Sequence, residues 1–153
     1  MDEAAQVPGP VRREVLVAAE PERAFELFTG RIGAWWPLAR FSVFEHDNDV
    51  AFEDGRIVER ATDGRESVWG TVTEWEPPLA LAFTWHPGYG EEHATDVRVT
   101  FEASAPDSSV AQTLVTLVHT GWERMDDPFT SAAEYEQGWP GMLAAYSALV
   151  TGR

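Results

Sequence analysis

The sequence contains no cysteine and no lysine among its 153 residues. Without cysteine, disulfide bridges, thiol nucleophiles and zinc–thiolate centres are excluded. No apolar run approaches the roughly 18 residues that a membrane-spanning helix needs. The first ten residues, MDEAAQVPGP, also lack the cationic start and the apolar stretch of a secretory signal peptide. We therefore expect a cytoplasmic protein without membrane insertion.

Positive charge is scarce as well, with 11 cationic side chains against 26 acidic ones and a formal net charge of -15. Nucleic acids and anionic membranes are bound through basic surfaces, so the balance excludes both as partners. Solubility is a sufficient explanation for the acidity. The chain length predicts one domain over residues 11–153, preceded by a mobile tail over residues 1–10.

The familiar signatures of catalytic and cofactor sites are absent too. The four histidines show no HxH, HxxxH or HExxH spacing, and no GxSxG or GxGxxG occurs. We therefore predict no metal, no cofactor and no assignable catalytic residue. What the chain has in excess is tryptophan, with seven residues that suit either a packed core or the wall of an apolar cavity.

The stretch from Trp69 to Trp85, WGTVTEWEPPLALAFTW, is the clearest structural signal. Residues 67–75 are rich in β-branched and aromatic types, and the last seven residues alternate large apolar side chains with Ala and Thr. This pattern predicts two antiparallel strands, separated where Pro77 and Pro78 cannot donate to a ladder. The residues predicted to face the core from the second strand are Leu79, Leu81, Phe83 and Trp85.

Patterns elsewhere predict a strand over residues 11–18, a helix from Pro21 to Gly30 and a short second helix over residues 31–37. Further strands are predicted at 41–45, 50–53, 56–61, 96–103 and 110–120. After a linker, the helical spacing of apolar residues from Thr130 predicts a long last helix that starts or bends near Pro140. The order predicts an α+β fold with about six to seven antiparallel strands.

Several short segments carry a resemblance to a known family. They are Trp69-Gly70-x-Val72, Glu74-Trp75-Glu76-Pro77-Pro78, Phe83-Thr84-Trp85, Leu117-Val118-His119-Thr120-Gly121-Trp122 and Gly138-Trp139. In this order they resemble the START/birch-pollen-allergen (SRPBCC) superfamily. More narrowly, they resemble the domain family named after the activator of heat-shock-protein-90 ATPase, and a stress-response role is one expectation that follows from that name.

The resemblance implies a helix-grip fold, in which a curved sheet wraps around a long C-terminal helix. A deep cavity then lies between the concave face of the sheet and that helix. Relatives variously bind lipids, hormones or polyketides, and some are cyclases. The residues that we predict to line the cavity are Trp35, Trp36, Phe41, Trp69, Phe83, Trp85, His119, Trp139, Met142 and Tyr146.

Four polar residues, at three places in the sequence, have two interpretations each. His119 ends an apolar strand face and is either a ligand anchor or general base, or a core histidine satisfied by neighbouring groups. Glu59 and Arg60 either point to opposite faces of a strand or form a solvated sheet edge. Tyr89, between two glycines after His86, either gates the cavity or belongs to a plain hairpin loop.

The leading prediction is non-catalytic binding of a small hydrophobic or amphipathic molecule in this cavity. The first alternative is an enzyme of the cyclase or hydratase type that uses His119 as its base. The second alternative is a chaperone-ATPase co-factor or other protein-interaction module, which would present a large exposed apolar patch.

Overall fold

The computed structural model describes residues 7–36, 48–104 and 110–152. Within them, seven antiparallel strands form one sheet in the order β1-β7-β6-β5-β4-β3-β2. The strands are β1 Val11–Val17, β2 Asn48–Glu53, β3 Arg56–Ala61, β4 Glu66–Glu76, β5 Ala80–Trp85, β6 Thr95–Ser104 and β7 Gln112–Thr120. The helices are α1 Pro21–Gly30, α2 Ile32–Trp35 and α3 Pro128–Thr151, with short 3-10 turns at Glu91–His93 and Trp122–Arg124.

This architecture confirms the predicted α+β helix-grip fold, with two short helices after the first strand and a long helix at the C-terminus. The strand predicted at 41–45, the candidate Phe41 and the polar segment 105–109 lie outside the described residues. The prediction of a mobile tail concerns residues 1–10, of which the structure describes only 7–10.

The alternating pattern in β5 places Leu81, Phe83 and Trp85 in the core, each no more than 3% exposed. Leu79 was also predicted to face the core, and this was wrong, because its side chain is 61% exposed. It belongs to the turn after the two prolines, where its backbone N–H donates to the Glu76 carbonyl, so the alternation begins only with the strand.

Helix α3 begins at Pro128, earlier than Thr130, and the side chain of Asp127 caps it by accepting from the Thr130 N–H at 3.3 Å. The predicted start near Pro140 was wrong, because the helix is continuous from Pro128 to Thr151, whereas a bend at Pro140 stays a prediction. Proline has no N–H for the carbonyl four residues earlier. That carbonyl, of Glu136, accepts instead from Nη2 of Arg13 in β1, at 3.0 Å.

The core lies between the inner face of the sheet and the helices. The hydroxyl of Tyr146 in α3 donates to the Ala24 carbonyl in α1 at 2.7 Å, which ties two helices together beneath the sheet. On the sheet side, alternate residues of β7 are fully buried, ending with His119. The long helix therefore faces the very strand positions that the sequence predicted to point inward.

Candidate ligand-binding interior

Four indole rings from four separate elements meet in the interior. Trp36 follows α2, Trp69 lies on β4, Trp85 on β5 and Trp139 on α3. The centroid of Trp36 lies 5.3 Å from Trp69, 5.5 Å from Trp85 and 6.1 Å from Trp139. These separations place the rings in direct contact. We call these four residues the indole cluster.

Trp35 and Tyr146, also predicted to line the cavity, belong to a neighbouring ring group around Phe28. Their centroids lie 5.0 and 5.1 Å from that of Phe28. The indole N–H of Trp35 donates to the Phe28 carbonyl at 3.3 Å, and the Tyr146 hydroxyl donates to a carbonyl of α1. Because their polar ends are bound to backbone, their contacts are those of core residues that hold α1, α2 and α3 together.

Phe83 and Met142 are both buried at 3% exposure. The ring of Phe83 lies 5.6 Å from Trp85 and 5.9 Å from Phe52, so it connects the indole cluster to β2. The structure therefore brings eight of the predicted residues into one cluster of buried hydrophobic side chains. They are Trp35, Trp36, Trp69, Phe83, Trp85, Trp139, Met142 and Tyr146.

His119 is fully buried beside the indole cluster, and both of its ring nitrogens have partners. Nδ1 accepts from the Trp139 indole N–H at 3.0 Å, so the ring proton is on Nε2. Nε2 donates to Oγ1 of Thr95 at 2.7 Å, and that hydroxyl donates to the Trp85 carbonyl at 3.0 Å. The chain of hydrogen bonds joins α3, β7, β6 and β5.

Burial lowers the pKa of His119 to about 3, because desolvation disfavours the imidazolium form. The ring is therefore neutral near pH 7. Its one lone pair is occupied by Trp139, so no basic site is open to a ligand proton. This geometry matches the interpretation of His119 as a core histidine satisfied by neighbouring groups.

Glu59 points inward from β3 and is fully buried, whereas Arg60 points outward. Oε1 of Glu59 accepts from the indole N–H of Trp69 at 3.2 Å, which places a carboxyl group at the edge of the indole cluster. Arg60 pairs with Glu53 and Glu66 at 2.6 and 2.7 Å, and its hydrogen bonds lower the pKa of Glu53. The two residues thus take opposite faces of the strand.

Two further residues contact this cluster that the sequence did not single out as candidates, the half-buried Tyr135 and the fully buried Trp122. The Tyr135 hydroxyl accepts from the Trp85 indole N–H at 3.0 Å, and burial raises the pKa of Tyr135 to about 12. Trp122 is 1% exposed and stacks on His119 at 4.1 Å. Tyr135 carried a signal, since it lies one turn before Trp139 on the apolar stripe of α3. Trp122 lies in the predicted linker, and that segment has no periodicity that could have indicated its burial.

Three buried polar atoms in the described residues have no hydrogen-bond partner, namely Nε1 of Trp122, Nε2 of His86 and Nδ1 of His93. His86 is 5% exposed, and its Nδ1 donates to the Tyr89 carbonyl at 2.9 Å. Tyr89 itself is 54% exposed, in the loop after β5. Buried polar atoms normally find partners, so these three atoms are exceptions among the described residues.

Within residues 7–36, 48–104 and 110–152, no three His, Cys, Asp or Glu side chains are grouped to hold a metal ion. No helix in the same ranges has the length and apolarity to span a membrane. His93 is half-buried, and its Nε2 lies 3.1 Å from a carboxylate oxygen of Asp126.

Solved structures similar to this chain share its fold over nearly its whole length. An Aha1 dimer from Colwellia psychrerythraea is 17% identical with a TM-score of 0.65, and the match covers 94% of this chain and 96% of that one. Protein MLL2253 from Mesorhizobium loti is 20% identical with a TM-score of 0.63, over 92% and 95% of the two chains.

An anthrahydroquino-γ-pyrone synthase, Txn09, is 31% identical with a TM-score of 0.62, over 94% of this chain and 98% of that one. Comparison with curated protein sequences finds no match. The family described as activator of Hsp90 ATPase homolog 1-like protein matches residues 18–150, which include every described element of the sheet except β1. The chain belongs to this family.

Proposed function

We propose that this protein binds a planar small molecule with fused rings between the sheet and α3. The observation that carries the proposal is the indole cluster, in which four large flat surfaces from four elements converge on one interior position. Aromatic faces favour offset or edge contacts with other rings, and a fused-ring ligand offers the same kind of surface. Removal of apolar area from water supplies most of the affinity, at roughly 25 cal/mol per Å².

The rings of the indole cluster already lie in contact with one another, so the ligand must replace some ring–ring contacts. Trp36 is the ring expected to give way, because it follows a four-residue helix, whereas the other three are fixed in the sheet and in the long helix. Trp69, Trp85 and Trp139 then form the walls of the site. Non-catalytic binding requires only ring contacts from these residues and no catalytic group.

The experiment is a titration with xanthone, a planar three-ring γ-pyrone, followed by the seven indole N–H signals in ¹H–¹⁵N NMR spectra. We expect saturable shifts of the Trp69, Trp85 and Trp139 signals, while the half-exposed Trp75 serves as an internal reference. Assignments come from single Trp→Phe variants. Shifts confined to Trp75, or an unchanged spectrum up to the solubility limit of xanthone, would overturn the proposal.

A cyclase is the second candidate, and the specific observation in its favour is the 31% identity to a γ-pyrone synthase. His119 is a poor base in this arrangement, because its lone pair accepts from Trp139. Glu59 is an interior group that could transfer protons, since its carboxyl group lies at the edge of the indole cluster. If the protein turns over a polyketide-type substrate, Glu59→Gln should abolish turnover and retain xanthone binding, whereas His119→Gln should affect both through stability.

A chaperone partner and a cytoplasmic location stay proposals that rest on the family and on composition, and the indole cluster supports neither of them. The same holds for a single domain over residues 11–153. We therefore place the small-molecule site first among the expected roles.

A further inference from the structure

Two hydrogen-bond donors remain open on neighbouring rings, one on the fully buried Trp122 and one on the half-buried Tyr135. Nε1 of Trp122 is buried and has no partner among the described residues. The Tyr135 hydroxyl accepts from Trp85, but no acceptor for its own proton occurs in the described part of the chain. An indole nitrogen can only donate, so both positions call for an acceptor.

The two rings belong to one group. They pack against His119, with centroids 4.1 Å away for Trp122 and 4.7 Å away for Tyr135, and they lie 5.8 Å from each other at an angle of 37°. His119 cannot serve as the missing acceptor, because its only lone pair is bound to Trp139. The ring of Tyr135 also lies 5.7 Å from Trp139, so the pair is continuous with the indole cluster.

We propose that Trp122 Nε1 and the Tyr135 hydroxyl bind a carbonyl oxygen of the fused-ring ligand. The inference rests on the proposed function and adds the ligand class to it, namely a planar molecule with a ring ketone, quinone or pyrone carbonyl. His119 acts as a positioning residue, since it packs against both donor rings without taking part in the bonds.

A neutral acceptor fits this pair better than an anion does. Both donors are uncharged, and the imidazole beside them is neutral near pH 7 because burial holds the pKa of His119 far below that pH. A buried carboxylate would need a cationic partner to offset its desolvation. A carbonyl oxygen has two lone pairs and so can accept from both donors without bringing a charge into the interior.

The test compares two probes with the same three-ring skeleton, xanthone and xanthene, which carry a carbonyl and a methylene group, respectively, at the same ring position. We expect wild-type protein to prefer xanthone by about 10-fold or more, since each neutral hydrogen bond contributes roughly 3- to 10-fold in affinity. The Trp122 indole N–H signal should move downfield with xanthone and stay in place with xanthene. Trp122→Phe and Tyr135→Phe should each lower the affinity for xanthone about 3- to 10-fold and leave that for xanthene unchanged.

Trp35→Phe is the matched control. It also removes a buried indole N–H, but that group is bound to the Phe28 carbonyl. This variant should lose stability and keep the preference for xanthone. A general loss of packing would reduce the binding of both probes in every variant, so the ratio of the two affinities separates a lost donor from a loosened core.

The outcomes are distinct for the two proposals. Equal affinities of wild-type protein for xanthone and xanthene would overturn the carbonyl site and leave ring binding standing. Failure of both probes to bind would overturn both proposals. A preference for xanthone that survives in the double variant Trp122→Phe/Tyr135→Phe would also overturn the carbonyl site, because the discriminating group would then lie elsewhere.

Discussion

The indole N–H of Trp139 donates to Nδ1 of His119 at 3.0 Å, which joins the middle of α3 to the end of β7. The bond fixes the tautomer of the imidazole, and the other nitrogen then continues the chain to Thr95 and the backbone of β5. The long helix is therefore attached to three adjacent strands through polar groups that have no contact with water. This relationship determines how the interior responds to mutation and to pH.

Trp139→Phe should destabilise the protein by about 1–3 kcal/mol, because it leaves a buried imidazole lone pair without a donor. The free energy of unfolding in urea measures the effect. Trp75→Phe provides the control, since Trp75 is 50% exposed and takes no part in the series of hydrogen bonds from Trp139 through His119 to Thr95. Equal losses in the two variants would show that ring volume, and not the bond to His119, is responsible.

His119→Gln should destabilise the protein most at neutral pH and progressively less in acid. Burial lowers the pKa of His119 to about 3 from an unfolded value of 6.5, so the unfolded state binds the proton more readily. The contribution of the neutral ring is complete above pH 6.5 and is lost as the pH falls towards 3. Each pH unit in this window corresponds to at most about 1.4 kcal/mol.

The measurement is the difference in unfolding free energy between wild-type protein and His119→Gln at several pH values. Comparison of the two proteins cancels the titration of the many carboxylates, which both share. A difference that stays constant between neutral pH and pH 4.5 would contradict the depressed pKa and would mean that His119 reaches solvent.

Gly70→Ala should destabilise the protein by about 1–3 kcal/mol, because overpacking against backbone forces the strands apart. A Cβ at Gly70 would overlap the carbonyl oxygen of Thr84 on the neighbouring strand. Gly141→Ala is the matched control, since a Cβ there meets nothing within 4 Å, and it should stabilise α3 by about 0.5–1 kcal/mol. Thermal unfolding of both variants measures the contrast, and a neutral Gly70→Ala would contradict the close approach of β4 and β5.

Arg13→Ala should lower the free energy of unfolding by about 0.5–1.5 kcal/mol, because it removes the donor to the Glu136 carbonyl. Pro140 has no N–H to donate to that carbonyl in its place. In a Pro140→Ala background the helix supplies its own N–H to that carbonyl, so the same substitution should cost less. A double-mutant cycle in urea measures this coupling. A coupling energy of zero would show that Arg13 acts only through its ion pair with the Glu136 side chain.

The order of elements could be predicted from the sequence because the relevant information is local. Strict alternation places Leu81, Phe83 and Trp85 on one face, and the helical spacing after Thr130 gives the stripe of α3. Two local predictions failed, one at a local turn and one where a distant residue supplied a hydrogen bond. Leu79 left the alternating face at the turn, and α3 continued through Pro140 because Arg13 on β1 supplies a hydrogen bond that the helix cannot make itself.

By itself, the sequence determined the fold class, the inward face of β5 from Leu81 to Trp85 and the aromatic character of the interior, since these follow from periodicity and composition. Only the tertiary structure decided what the polar groups do there. The occupation of both nitrogens of His119, the burial of Glu59 against Trp69 and the open donor of Trp122 all depend on elements far apart in the chain. Hydrogen bonding is directional and short-ranged, so its partners exist only once the strands and α3 are in place.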